Sequence, residues 1–319
     1  MDMKRKLVKQ GVRALTITLP SDWIRNNNLK PGDEIDLSDQ DNILRISTEK
    51  IPALRDITVD VSGLLPRLAD RFMARAYQKG YDKIKIKFDN QDLMIAVQNK
   101  VSELMGYEIL KVAPDFLEIQ IVSTNLDIDF DTMLRRSLLL LMDMSNICHD
   151  AWLNGDKKAL ENIWYQDYDA NKFLYFCLRS MNKRPKMTTF GKSILYYLVE
   201  SLEDLGDELK KLGKILIGIE PNKGALNILA KMNEMFRLSY EFFYKPEKKK
   251  AVKAFLLSNE IKKLIDNALK TNNKEEIKAL MAIDFSRKII YHLTTMRLDT
   301  LKDLGGGLVA PSNLNLKGI

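Results

Sequence analysis

Histidine and cysteine are scarce, with two of each in 319 residues. His149 has no spaced partner, and Cys148 and Cys177 lack CxxC spacing. Both cysteines fall inside helical apolar patterns, so they read as reduced core thiols of a cytoplasmic protein. Long apolar runs are missing too. One apolar run, Leu138 to Met142, is flanked by Arg135, Arg136 and Asp143. It falls far short of the roughly 18 residues a membrane span needs, and reads as buried helix. The N-terminal charges are followed by no apolar stretch, which argues against a secretory signal. The expectation is a protein without membrane insertion. Its 45% apolar and 29% charged residues are ordinary for a globular chain, and its length suits two or three domains.

The net charge of +7 is modest, so its placement carries the information. Residues 1–13 hold Lys4, Arg5, Lys6, Lys9 and Arg13 against the single acid Asp2, while the rest of the first fifty residues is acidic. A basic arm on such a body suits phosphate contact, although a solvated tail has the same composition. Leu15 to Leu19 alternates as a strand and stops at Pro20, where Ser21 can cap a short helix, Asp22–Asn26. Lys30-Pro31-Gly32-Asp33 is a turn signature. Glu34–Leu37 and Ile43–Ile46 then pair as a hairpin across residues 38–42. About 45 residues so poor in core side chains rarely fold alone, which predicts a dimer.

These residues carry a resemblance. Arg5-Lys6-Leu7-Val8-Lys9, Gly11, Leu15 to Pro20, Trp23 and Leu29 to Asp33 together resemble the SpoVT/AbrB swapped-hairpin module. The resemblance implies an intertwined homodimer that binds double-stranded DNA. Arg5, Lys6, Lys9 and Arg13 would lie on the DNA face, with Arg25 as a lesser candidate. Their cations would neutralise phosphates, and arginine can also reach base edges. The alternative is a module that only dimerises the chain.

Residues 56–123 read as β-α-β-α-β-β, a small α/β layer with two helices on one face of a sheet. Pro66 to Lys79 and Asp92 to Met105 are the helices, closed by Gly80 and Gly106, and Lys83 to Phe88 alternates with period two. No phosphate-cradling glycine loop and no nucleophile–base pair occur there. The layer reads as a spacer or protein-contact domain. From 128 to 303 the pattern is helical, broken at 154–156, 183–185, 218–224, 245–246 and 271–273. Six long helices, three and then three, suggest a repeated three-helix bundle. The fold class is thus multidomain α+β: 1–50 a hairpin module, 51–127 a small α/β domain, 128–304 helical (repeats 128–216 and 221–304), and 305–319 a flexible tail.

Glu200, Glu203, Asp204 and Asp207 fall on one stripe of the third long helix, opposite Leu195, Leu198, Leu202, Leu205 and Leu209. The plain reading is the solvated face of an amphipathic helix. Four carboxylates with little cationic relief also invite a cation, because oxygens at i and i+4 converge on one ion. Asp299 and Asp303 copy the spacing of Glu203 and Asp207, with His292 on the same stripe. Here the region resembles PhoU, the phosphate-signalling family of paired three-helix bundles. Leu202 to Asp207 carries the motif, and Asp167 with Asn171 fits the preceding helix. The resemblance implies iron or zinc on Glu203 and Asp207, and on Asp299 and Asp303. Arg297 and Lys302 crowd the second pair and depart from the family pattern. The run Lys248-Lys249-Lys250 at a turn is a solvated charge cluster or a docking patch for an acidic partner.

The order hairpin module, α/β layer and PhoU-like helices resembles archaeal phosphate uptake regulators. That implies a non-enzymatic, cytoplasmic DNA-binding regulator of phosphate uptake. The alternative is an adaptor that docks on a phosphate transporter or a signalling protein.

Overall fold

The computed structural model describes residues 4–12, 14–40, 43–48, 54–122, 129–183, 189–270 and 273–299. The chain divides after Arg55 into two units. In the first, β1 (Val8–Gln10) pairs with β2 (Ala14–Thr16), and β3 (Asp36–Gln40) pairs with β4 (Ile43–Ser47), each antiparallel. Between the hairpins lies α1 (Ser21–Asn26). The strand expected over Leu15–Leu19 is confined to Ala14–Thr16, because the partner strand offers only three residues. Ser21 opens α1, with Pro20 in the capping position and no side-chain cap. The second hairpin runs longer than its pattern suggests, with Gln40 opposite Ile43.

Helix α1 ends in a Schellman arrangement. The Leu29 amide donates to the Ile24 carbonyl (3.0 Å) and the Asn28 amide to the Arg25 carbonyl (3.1 Å). This needs Asn28 at φ +49°, a left-handed conformation that asparagine tolerates better than most residues.

The second unit begins with β5 (Asp56–Asp60), α2 (Pro66–Gln78), β6 (Lys83–Lys87), α3 (Gln91–Val101), β7 (Tyr107–Val112) and β8 (Phe116–Ile121). The sheet order is β5-β6-β8-β7, parallel between β5 and β6 and antiparallel elsewhere. The register sets Ile57 against Ile84, Ile84 against Ile119, and Ile86 against Val59 and Leu117. Period-two alternation thus collects these apolar residues on one face with Ala69, Met73 and Val97 of the helices, and leaves Lys83, Lys85 and Lys87 on the other.

Helices α4 (Phe130–Leu153), α5 (Lys157–Glu161), α6 (Ile163–Lys183) and α7 (Thr189–Leu216) precede α8 (Lys223–Tyr244), α9 (Lys248–Ala268) and α10 (Lys274–Asp299). The six long helices follow the expected breaks, and the short α5 is additional. The two sets of three long helices share one apolar core. Leu141, Leu202 and Leu209 belong to the same buried cluster as Phe236, Leu280 and Leu293. Ser145 on α4 donates to Asn233 on α8 across the join (2.5 Å).

The α/β layer is fastened to the helical part by α6. Tyr175 projects into the core of the layer, and Arg179 is buried in it. The Arg179 guanidinium donates to the Tyr77 carbonyl (3.0 Å), the Tyr81 carbonyl (2.6 Å), the Tyr107 hydroxyl (3.1 Å) and Asp82 Oδ1 (2.5 Å). Asp82 also accepts from Lys183 at the end of α6.

Candidate functional site

Among its described residues the hairpin unit shows no buried core. None of its residues whose burial is described is buried, and Leu7, Val8, Val12, Leu15, Ile17, Leu37 and Leu44 are all exposed. Ordering backbone costs about 1–2 kcal/mol per residue, and a lone two-stranded hairpin offsets little of it. The register collects Leu37, Ile46 and Leu44 on one face of β3–β4, where Leu37 and Leu44 are exposed and Ile46 is half-buried. Arg5, Lys6 and Lys9 are exposed and form no ion pair with another described residue. Arg25 differs, since its guanidinium lies 2.5 Å from Asp22 one turn earlier on α1. Arg13 lies outside the described residues.

The acidic stripe of α7 is not an open helix face. With α2, α3 and α6 it lines a cleft of about 280 Å3, in which Glu203 and Asp207 meet Asp167, Asn171 and Tyr175 on one side and Arg71, Arg75 and Lys100 on another. Cationic relief is supplied by Arg75, far away in sequence, and by Lys210 on α7 itself. Arg75 on α2 forms a two-pronged pair with Glu200, its Nη2 2.8 Å from Oε2. Lys210 sits between Asp167 and Asp207 (2.6 Å to Asp207 Oδ1). The Tyr175 hydroxyl donates to Glu203 (3.0 Å). Arg67, Arg71 and Arg75 recur every fourth residue on α2, which is the sequence signature of the basic side.

Close packing holds the cleft in shape. A Cβ on Gly206 would meet Asp167 Oδ1 at 2.8 Å, so glycine lets α7 lie directly against the Asp167 carboxyl. Burial pushes the Asp167 carboxyl up, against the Lys210 ammonium that lowers it. Burial likewise raises the Glu203 carboxyl above its ordinary 4.5, with the Tyr175 hydroxyl acting in the opposite sense. An acid whose folded pKa is raised adds stability below its unfolded pKa, and that contribution is lost as pH rises through the folded value. Glu203→Gln keeps an acceptor for Tyr175 without the buried charge. It is therefore expected to raise the melting temperature at neutral pH, with the gain shrinking toward zero as pH falls below about 4. Thermal unfolding of both proteins across that range checks it.

Two buried oxygens in the cleft, Asp167 Oδ1 and Asn171 Oδ1, have no hydrogen-bond donor among the described residues. One turn apart on α6, they are the part of the donor set that suits a cation. The residues fit iron or zinc at Glu203 and Asp207 only if Lys210 gives way, since its ammonium already occupies the space between Asp167 and Asp207. Among the described residues no group of three or more histidine, cysteine, aspartate or glutamate side chains is placed to hold a metal.

The second acidic pair is only partly in view. Asp299 closes α10, but its side chain and Asp303 lie outside the described residues. His292 is half-buried on α10, its ring centroid 6.1 Å from that of Tyr197 on α7, and burial holds its pKa below the ordinary value. His149 pairs with Asp150 (2.6 Å). Cys148 and Cys177 are fully buried, and burial pushes the Cys148 thiol up to about 12, which makes both inert core thiols. Among the described residues no helix is long and apolar enough to cross a membrane. Comparison with protein-family models, with curated proteins and with solved structures finds no match for this chain.

Proposed function

We propose that the chain is a DNA-binding regulator that acts as a homodimer through its hairpin unit, with the helical region as the part that senses a signal or docks a partner. The observation that carries this reading is the hairpin unit itself. It combines uncovered apolar faces, which a second copy would bury, with Arg5, Lys6 and Lys9 exposed and unpaired among the described residues. Cations already neutralised by neighbours would contribute little to phosphate binding, and these are not so neutralised. The link to phosphate uptake rests on the resemblance of the helices to PhoU, as does iron or zinc in the cleft. The same resemblance is what supports reading the chain as a non-enzymatic protein of the cytoplasm.

Genome-wide recovery of DNA bound to the protein, at high and low phosphate, tests both halves of the proposal. The expected result is recovery of discrete promoter regions whose occupancy changes with phosphate. Equal recovery of all DNA, or none at any phosphate level, sinks it. A second reading, an adaptor that docks on a phosphate transporter or signalling protein, draws on the same uncovered apolar faces. It predicts a dimer that binds no promoter duplex even at low salt.

A further inference from the structure

Helix α9 breaks two local rules at once. Its first turn is Lys248-Lys249-Lys250, with no acidic residue in that turn and only the N-cap Glu247 to complement the positive end of the helix dipole. Only Lys250 is relieved there, by Glu241 at 3.2 Å and Glu247 at 3.4 Å. Lys248 and Lys249 are exposed and have no acidic partner among the described residues. The lysine run is thus the opening of a helix rather than a turn, and it stands where lysine is least favourable.

One turn further on, Val252 and Leu256 are 58% and 60% exposed. At about 100° per residue they lie on the side of α9 opposite Ala254, Leu257, Ile261 and Ile265, which face the core. They therefore project straight away from the bundle. Phe255 extends the apolar surface toward α10, where its ring lies 6.1 Å from that of Tyr291. Farther along α9, Lys262 and Lys263 are exposed as well. The exposed acid Glu260 is paired with Lys231 at 3.0 Å, and with Asp266 as the other exposed acid of this side the lysines Lys248, Lys249, Lys262 and Lys263 leave it net cationic.

We propose that this face of α9 docks on an anionic lipid surface. Apolar side chains that project from a convex helix, ringed by unpaired lysines, suit a flat, deformable, negatively charged layer. The valine and leucine tips enter the interfacial region while the ammonium groups meet lipid phosphates. A second copy of the chain would set lysines against lysines, and a partner helix would need a groove where this face has projections. The inference is independent of DNA binding, and it concerns peripheral attachment rather than a membrane span.

The test is sedimentation of the full-length chain with vesicles of equal parts phosphatidylcholine and phosphatidylglycerol, and with vesicles of phosphatidylcholine alone. The wild type is expected to bind the anionic vesicles and not the neutral ones. Lys248→Gln with Lys249→Gln should weaken binding about 25-fold, at roughly fivefold per lysine. Val252→Ser with Leu256→Ser should weaken it about tenfold or more without altering net charge. A Leu256→Trp variant should shift its fluorescence to the blue on anionic vesicles only. All of these positions are exposed, and unchanged thermal unfolding verifies that each variant folds. Absence of anionic binding overturns the proposal and favours an acidic protein as partner. Undiminished binding by the serine variant, or no spectral shift, also overturns it, since attraction would then be charge alone.

Discussion

Replacing Asp82 by alanine is expected to lower the unfolding free energy by about 3–5 kcal/mol. The Asp82 and Arg179 side chains are 2% and 4% exposed. Without Asp82 the guanidinium keeps its bonds to two carbonyls and a hydroxyl, yet its positive charge stays buried with no counter-charge. Lys183, which shares Asp82, loses its partner in the same step. Exposed pairs of similar geometry, such as Arg25–Asp22, contribute no more than about 1 kcal/mol, because water already solvates both ions. The difference is one of desolvation rather than distance.

The same physics predicts a particular non-additivity. Removing both charges, Asp82→Leu with Arg179→Met, leaves no buried ion and should fall short of the summed single losses by more than about 1 kcal/mol. Urea unfolding of the two single variants and the double variant measures this. A loss below about 1 kcal/mol for Asp82→Ala would mean that water reaches Arg179 and that the strut between α6 and the α/β layer is not buried in solution.

That strut marks the boundary of what the sequence makes legible. Lys83-Ile84-Lys85-Ile86-Lys87 announces a half-buried strand because its alternation matches the pleat, and the strand is there. Gly80, at φ +85°, ends the first helix of the layer as its position suggests, whereas α3 stops at Val101, short of the expected Met105, and Gly106 at φ +80° instead turns the chain into β7. Short elements escape such reading. Helix α5 spans five residues with Leu160 as its one buried side chain, too few for a period to register. Strand β2 stops before Ile17 because pairing needs a partner, which an alternating pattern does not reveal.

Long-range chemistry escapes for a different reason. Helical arithmetic places Glu200, Glu203, Asp204 and Asp207 on one stripe, but leaves the occupant of the space opposite undefined. Arg75 reaches Glu200 from 125 positions earlier in the chain, and Tyr175 reaches Glu203 from the adjacent helix. A stripe that reads as solvated, or as a bare ion site, becomes the wall of a largely self-neutralised cleft. Arg179 gives no sign of burial in sequence either. It follows Leu178 and precedes Ser180 in a helix of mixed character, and only the α/β layer packed over α6 encloses it.

Arg5→Gln, Lys6→Gln and Lys9→Gln made together should nearly abolish binding of promoter DNA while leaving the dimer intact. In the proposed dimer six cations are lost, three from each protomer. If each neutralises one phosphate, the slope of log affinity against log salt falls by about 5, at about 0.9 per contact. Near 0.1 M salt a change of that size corresponds to a loss of roughly a thousandfold or more. The three side chains are exposed and unpaired among the described residues, so their removal costs little stability. Arg25→Gln provides the contrast. Its guanidinium is held by Asp22, so the expected loss is smaller, within about tenfold. Titrations of one duplex at several salt concentrations, with sedimentation to confirm the dimer, separate the possible outcomes. A slope unchanged in the triple variant would move the DNA face elsewhere. A slope that falls only when the dimer dissociates would make the hairpins a dimerisation device, and would shift the weight of the function to the helices.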